Sequence, residues 1–243
     1  MFNVIIADNY DQISSEAFRI VKKELQQEEH PVLGLATGSS PIGLYKKMIA
    51  DHNVNGTSYK KVTTFNLDEY IGLPREHDQS YWTFMHENLF DQIGIPDQNV
   101  HMPSGEEPDM NLECDRYERD LANYTIGVQI LGIGSDGHIG FNEPGTPFDS
   151  VTHVAKLEES TRRDNSRFFE GDIDRVPEEA VTMGLASIMK AKKIVIIAYG
   201  KNKAQAVYGM IRGPKDPSCP ASILQDHSDV TIILDREAAA LIS

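Results

Sequence analysis

Val32-Leu-Gly-Leu-Ala-Thr-Gly-Ser-Ser-Pro-Ile-Gly-Leu-Tyr-Lys-Lys-Met-Ile49 begins as an aliphatic run, breaks at Thr-Gly-Ser-Ser and resumes as an amphipathic stretch after a proline. A short buried strand, a tight turn and a helix satisfy that pattern, because Pro41 has the fixed φ that suits a first helical position. The same alternation recurs outward in both directions: Val4 to Ile6 then Ile13 to Leu25, and Val62 to Leu67 then Gln79 to Phe90. Further on come a helix over Met110 to Leu121 and a buried strand over Ile126 to Ile133. A strand over Lys193 to Tyr199, a helix over Asn202 to Ile211 and a strand over Val230 to Leu234 complete the series. Strands alternating with helical stretches predict an α/β fold with a mostly parallel central sheet and helices on both faces. Pro and Gly punctuate the connections, but there is no low-complexity linker and no internal repeat, so residues 1–243 are expected to form a single domain. Residues 151–183 are less regular, with the charged run Glu158 to Asp164 and then Phe168-Phe169, and read as a mobile lid rather than core.

The composition narrows the partners. Of 243 residues, 37 are acidic and 23 basic, a formal charge of -14, and no Lys/Arg run offsets it. Such a surface repels nucleic acid and anionic membranes, which leaves small molecules. Cys114 and Cys219 have no C-x-x-C or Cys/His context, so neither a disulfide framework nor a zinc site is expected, in keeping with a cytoplasmic setting. The apolar run Met1 to Ala7 has no basic residues before it and no segment approaches the ~18 apolar residues of a membrane span, so no targeting or anchoring is expected.

In an open parallel sheet, ligands bind in crevices at the carboxyl ends of the strands, and three segments leave such ends. The first is Thr37-Gly38-Ser39-Ser40, where an exposed helix start with unpaired N–H groups and hydroxyls makes a phosphate cradle; the plain alternative is an N-cap by Ser39 or Ser40. The second is Thr63 to Gly72, whose strand ends on Asp68 and Glu69. Alternate strand residues point to opposite faces, so one carboxylate faces the crevice and the other is structural. The third is Ile130-Leu-Gly-Ile-Gly-Ser-Asp-Gly-His-Ile-Gly-Phe-Asn-Glu-Pro-Gly145, which collects Asp136, His138 and Glu143 in a glycine-rich loop. Its Gly132-x-Gly134-x-x-Gly137 spacing matches a dinucleotide fingerprint, but Gly and Pro follow where that motif needs a helix. A metal site is disfavoured because no second histidine lies nearby, and a lone histidine among carboxylates reads better as a general base with orienting partners.

His30, His52, His77, His86, His101 and His227 read as surface or capping residues, and Trp82, beside Tyr81, as core. A chain this acidic must place local cations to hold a phosphorylated substrate, and Arg167 and Lys203 are the candidates. Arg162 and Arg163 read instead as salt-bridged surface.

With these segments in view, the chain resembles the glucosamine-6-phosphate deaminase family. The resemblance rests on Gly34 to Pro41, Phe65-Asn-Leu-Asp-Glu-Tyr-Ile-Gly-Leu73, Gly134 to Pro144, Thr161-Arg-Arg-Asp-Asn-Ser-Arg-Phe-Phe169 and Ala180-Val-Thr-Met-Gly184, in that order. It implies a Rossmann-like fold and conversion of glucosamine 6-phosphate and water to fructose 6-phosphate and ammonia, with no cofactor and no metal. By motif, the enolisation base falls on Asp68, the ring-opening group on Asp136, His138 and Glu143, and phosphate binding on Gly38, Ser39, Ser40, Arg167 and Lys203. The phosphate loop has Gly38-Ser39 where many members have two glycines. Longer hexameric members carry an allosteric site for N-acetylglucosamine 6-phosphate just after Asn-Glu-Pro and in a longer tail; here Ser150 to Ala155 and an end at Ser243 imply no such activation, and a monomer or homo-oligomer of open size. Rival readings are a 6-phosphogluconolactonase-like hydrolase, disfavoured by Phe141 to Pro144 and Asn66 to Tyr70, and a non-catalytic sugar-phosphate sensor.

Overall fold

The computed structural model describes residues 2–242; Met1 and Ser243, the ends of the expected domain, lie outside the described residues. Ten strands follow in chain order: β1 (Asn3–Ala7), β2 (Val32–Leu35), β3 (Thr63–Asn66), β4 (Asp68–Tyr70), β5 (Val100–His101), β6 (Val128–Leu131), β7 (His153–Lys156), β8 (Glu179–Thr182), β9 (Lys193–Ala198) and β10 (Val230–Asp235). Seven of them form one sheet in the order β1-β10-β9-β6-β2-β3-β5, and every pairing in it is parallel.

The helices are α1 (Tyr10–Gln27), α2 (Ile42–Asn55), α3 (Tyr81–Met85), α4 (Asp91–Ile93), α5 (Met110–Ala122), α6 (Glu159–Asn165), α7 (Leu185–Ile188) and α8 (Ala204–Arg212). Alternate residues of β9 divide between two cores. Ile194 and Ile196 pack with Leu185 and Ile188 of α7 and Val207 and Met210 of α8, whereas Val195 and Ile197 pack with Ile13 and Val21 of α1 and Leu44 and Met48 of α2. Helices therefore cover both faces, and the strands between them are aliphatic on both sides, as a doubly covered parallel sheet requires. The fold is the expected α/β, Rossmann-like arrangement.

The Gln79 to Phe90 stretch is helical but not uniformly so: α3 passes into a π-helical turn at His86–Phe90 before α4. The second sheet, β4-β8-β7, is antiparallel and was not foreseen. Its strands β7 and β8 bound the stretch expected to be a lid, and Ala155, Leu157, Phe169, Val176 and Ala180 are buried there against Tyr70 and Phe141. Much of residues 151–183 thus belongs to a small core of its own; the strand pairs are short and distant in sequence, so no periodicity reveals them.

Adjacent strands β2 and β6 mark the point where the chain's path reverses: β2 leads outward to β3, while β6 pairs on its other side with β9. A crevice opens where the loops that follow diverge, as the rule for open α/β sheets requires.

Candidate active site

A cavity of about 340 Å3 occupies that crevice, and its wall includes residues 36–40 after β2, residues 132–134 after β6, Asp68, His138, Arg167 and Lys203. Ser39 and Ser40 lie in a loop braced from outside. The Tyr10 hydroxyl donates to the carbonyls of Ser39 and Ser40, at 2.9 and 3.0 Å, and accepts the Gly43 N–H at 2.8 Å. Gly38 has φ +82°, a turn that favours glycine. The Gly38-Ser39-Ser40 turn ahead of α2 therefore lines the cavity, while the Gly43 N–H of the first helical turn is taken by Tyr10. Pro41 stands at the N-cap and contributes no side-chain cap, and neither Ser39 nor Ser40 caps the helix.

Two cations share that wall. Arg167, just beyond α6, and Lys203, just before α8, both line the cavity, and among the described residues neither forms an ion pair. Burial depresses the Lys203 pKa, against the pull of Asp164 and Asp136. Arg163 behaves as expected, pairing with Glu159 on the surface. Arg162 does so in part: it lies 3.8 Å from the exposed Glu178, and its guanidinium also donates to the carbonyls of Ile173 and Val176, tying the turn after Arg167 to α6.

Elsewhere on the wall, Leu67 bridges the two sheets, its N–H bonded to Leu35 and its carbonyl accepting from Met183. The chain leaves β3 there and enters β4, which carries Asp68 to the cavity wall. Asp68 is only 5% exposed. Burial first, then the adjacent Glu69, push its carboxyl up to about 8, and His138 pulls in the opposite direction. Strand alternation separates the neighbours: Glu69 faces away, toward a second cavity lined by Arg75, Trp82 and His101. Its carboxylate accepts from the backbone N–H groups of Tyr70, Tyr81 and Trp82, each at 2.9 Å. Such charge-assisted bonds are worth about 1.5–3 kcal/mol each, so the structural carboxylate of the pair is Glu69.

The glycine-rich loop supplies the facing group. His138 Nδ1 lies 2.8 Å from Asp136 Oδ1 and 3.5 Å from Glu143 Oε2. Neither contact is aligned as a hydrogen bond, so the trio is held as an ion pair. Burial disfavours the imidazolium, yet the two carboxylates outweigh it and raise His138 to about 9. Burial likewise raises Asp136, but His138 overrides that and holds it at about 2. Glu143 is anchored further by the Glu158 N–H at 3.3 Å. The ring lies across Gly134, where a Cβ would come within 2.3 Å of it. Three ligand atoms within 4.8 Å could also accept a cation, but the imidazole nitrogen turned to both carboxylates is the geometry of an oriented acid–base group.

The sequence reading missed Tyr81, which it named only as the neighbour of Trp82, read as core. Trp82 is partly buried in the core, with the Arg75 guanidinium 3.3 Å from its ring centre, but Tyr81 lines the cavity, stacked on Phe141 at 6.0 Å. Its backbone N–H donates to Glu69, a contact that helps place it and that no local pattern announces. Tyr199 and Asn202 also line the cavity; their position just after β9 was the available signal. Among the described residues no helix is long and apolar enough to cross a membrane.

Comparison with known proteins agrees with this geometry. The glucosamine-6-phosphate deaminase of Halalkalibacterium halodurans is 51% identical over 236 residues, 97% of this chain and 96% of the relative. Glucosamine-6-phosphate deaminase 2 of Bacillus subtilis (strain 168) is 48% identical over 239 residues, 97% of this chain and 96% of its own. Among solved structures, a monomeric glucosamine-6-phosphate deaminase superposes with a TM-score of 0.96 at 42% identity, over 98% of this chain and 99% of its own. The 6-phosphogluconolactonase of Leishmania guyanensis, at 22% identity and a TM-score of 0.81 over 100% of this chain and 99% of its own, shares the fold alone. A profile described as glucosamine-6-phosphate isomerases/6-phosphogluconolactonase matches residues 7–233, and the chain belongs to that family.

Proposed function

We propose that this chain is a glucosamine-6-phosphate deaminase that converts glucosamine 6-phosphate and water to fructose 6-phosphate and ammonia. The observation that carries the reading is one cavity whose wall holds both Asp68 and His138 and the Gly38-Ser39-Ser40 loop, Arg167 and Lys203. Acid–base groups and phosphate-binding groups in one cavity suit a hexose phosphate, which carries its reacting carbons and its dianion on one molecule. Phosphate contacts then supply binding energy that positions C1 and C2 without entering the chemistry.

His138, held as the imidazolium by Asp136 and Glu143, donates a proton to the ring oxygen and takes back the anomeric hydroxyl proton, so the ring opens to the aldehyde with no net proton change. Asp68 follows. The substrate's ammonium favours its carboxylate, which removes the C2 proton and returns it to C1, while His138 protonates the aldehyde oxygen and recovers the proton that the ammonium gives up as the enolamine forms. The product of that transfer is an iminium at C2; water adds there and ammonia departs. C1 is reduced as C2 is oxidised, so the sequence balances without a redox cofactor. Closure of the segment bearing Arg167 would couple phosphate binding to exclusion of bulk water. The substrate is a soluble metabolite, and the enzyme is read as cytoplasmic, independent of nucleic acid and membrane; the monomeric relative supports a monomer.

Purified protein incubated with glucosamine 6-phosphate, with and without chelator, should release ammonia and fructose 6-phosphate in equal amounts in both cases. Binding without ammonia release would turn the reading to a sensor, and loss of activity in chelator would turn it to a metal enzyme.

A further inference from the structure

Glu69 takes no part in the chemistry just described and lies on the far side of the strand from the cavity. It is buried, 5% exposed, yet its carboxylate is the point where three pieces of the site are joined. One oxygen accepts from Tyr70, the next residue of β4, and from Tyr81; the other accepts from Trp82. Tyr81 and Trp82 open α3, whose own cap is Ser80, so a helix already capped is additionally fastened to the strand that carries Asp68. Tyr81 reaches the cavity from that first turn and its hydroxyl meets that of Tyr70 at 3.3 Å. Shortening or removing the Glu69 carboxylate would release Tyr81 and Asp68 together.

The same carboxylate is the nearest negative charge to Asp68. We propose, resting on the deaminase reading, that Glu69 is a positioning residue which sets both where the Asp68 carboxyl stands and when it gives up its proton.

Every charged group around the two carboxyls bears on this. Asp68 faces His138 from the glycine-rich loop and the phenols of Tyr45, Tyr70, Tyr81 and Tyr117 from the surrounding elements. The phenols are all pushed above their usual range by burial and stay neutral. Glu69 faces Arg75, which lowers its pKa, though burial leaves it raised overall. Across the second cavity stand His101, Glu106, Glu107 and the Glu113–Arg116 ion pair. Of these, only Glu69 and His138 act appreciably on the Asp68 carboxyl, and they act in opposite directions. Removing the Glu69 charge must therefore let Asp68 ionise at lower pH.

Two variants separate charge from reach. Glu69→Gln removes the charge while its amide oxygen can still accept from Tyr70 and Tyr81; Glu69→Asp keeps the charge but is too short for the α3 N–H groups. The Asp68 carboxyl is followed by 13C NMR in the free protein, and kcat/KM is followed against pH with glucosamine 6-phosphate. For Glu69→Gln, both the Asp68 titration and the acidic limb of the profile should move down by about one pH unit. For Glu69→Asp, kcat should fall about tenfold with KM nearly unchanged, and the Asp68 titration should stay close to that of the wild type. An unmoved Asp68 titration in a folded Glu69→Gln protein overturns the proposal and leaves Glu69 a second cap. If Glu69→Gln does not fold, the Asp variant decides: a normal kcat overturns the proposal. A wild type that releases no ammonia removes the deaminase reading, whereas the NMR titration still judges Glu69 on its own.

Discussion

Two groups of acids border one cavity, which they reach through Asp68 and His138, and are poised in opposite senses. At the β3–β4 junction, Asp68 sits beside Glu69 with little water, and burial together with like charge keeps a proton on a carboxyl that would ordinarily have lost it. In the glycine-rich loop, Asp136 and Glu143 flank an imidazole, and Asp136 stays ionised while the histidine keeps its proton. Residue type does not decide these states; the neighbour does. Pairs of titratable groups driven apart by their surroundings are how one site can run acid and base steps near neutral pH.

The largest effect should come from Asp68→Asn, which on the proposed reading removes the group that moves a proton between C2 and C1. Turnover should fall at least about 1000-fold while binding of the phosphorylated substrate, measured by calorimetry, changes little. A near-normal rate would dissolve the contrast, since Asp68 would then be merely a buried acid. Asp136→Asn tests the other side: the His138 titration, followed by NMR, should drop from about 9 toward or below the 6.5 of free imidazole, and turnover should fall about 10–100-fold. An unmoved His138 would mean that Glu143 alone holds the imidazolium.

The smallest effect is on stability. His138 has a raised folded pKa, so its contribution is fully present below about 6.5 and is lost as pH rises through about 9. Asp136 has a lowered one, so its contribution is present above about 3.8 and is lost as pH falls through about 2. Thermal melts of wild type and His138→Gln should thus differ most between pH 4 and 6.5, by about 2–4 °C, and converge above pH 9. A gap that widened with rising pH would reverse the assigned charge on the histidine.

How legible the molecule is follows the same division. The parallel sheet was readable because strands such as Lys193–Ala198 and Val230–Asp235 are aliphatic on both faces, a direct demand of two covering helix layers. The antiparallel sheet was not, because β4 reads Asp-Glu-Tyr and finds its partner β8 more than a hundred residues later. For the site, strand-end placement was enough to locate Asp68, His138 and the Gly38 loop, and alternation reduced Asp68 and Glu69 to one cavity-facing acid. Which of the two it was depended on α3 turning its first N–H groups toward Glu69, a tertiary fact with no local signature. Arg162 was legible only in part for the same reason: its ion pair, to Glu178, was expected, but its hydrogen bonds go to carbonyls eleven and fourteen residues away.

Gly134 carries a consequence of a different kind. Its backbone is not among those with positive φ, so its own torsions do not call for glycine; the position is small because the His138 ring occupies the space where a methyl group would stand. In a library randomised at residue 134, folded clones bearing alanine or serine would have to displace that imidazole. Abundance and turnover would then part company at this one codon, and the pool of stable but silent clones would mark the seat of the histidine without any change to the histidine itself.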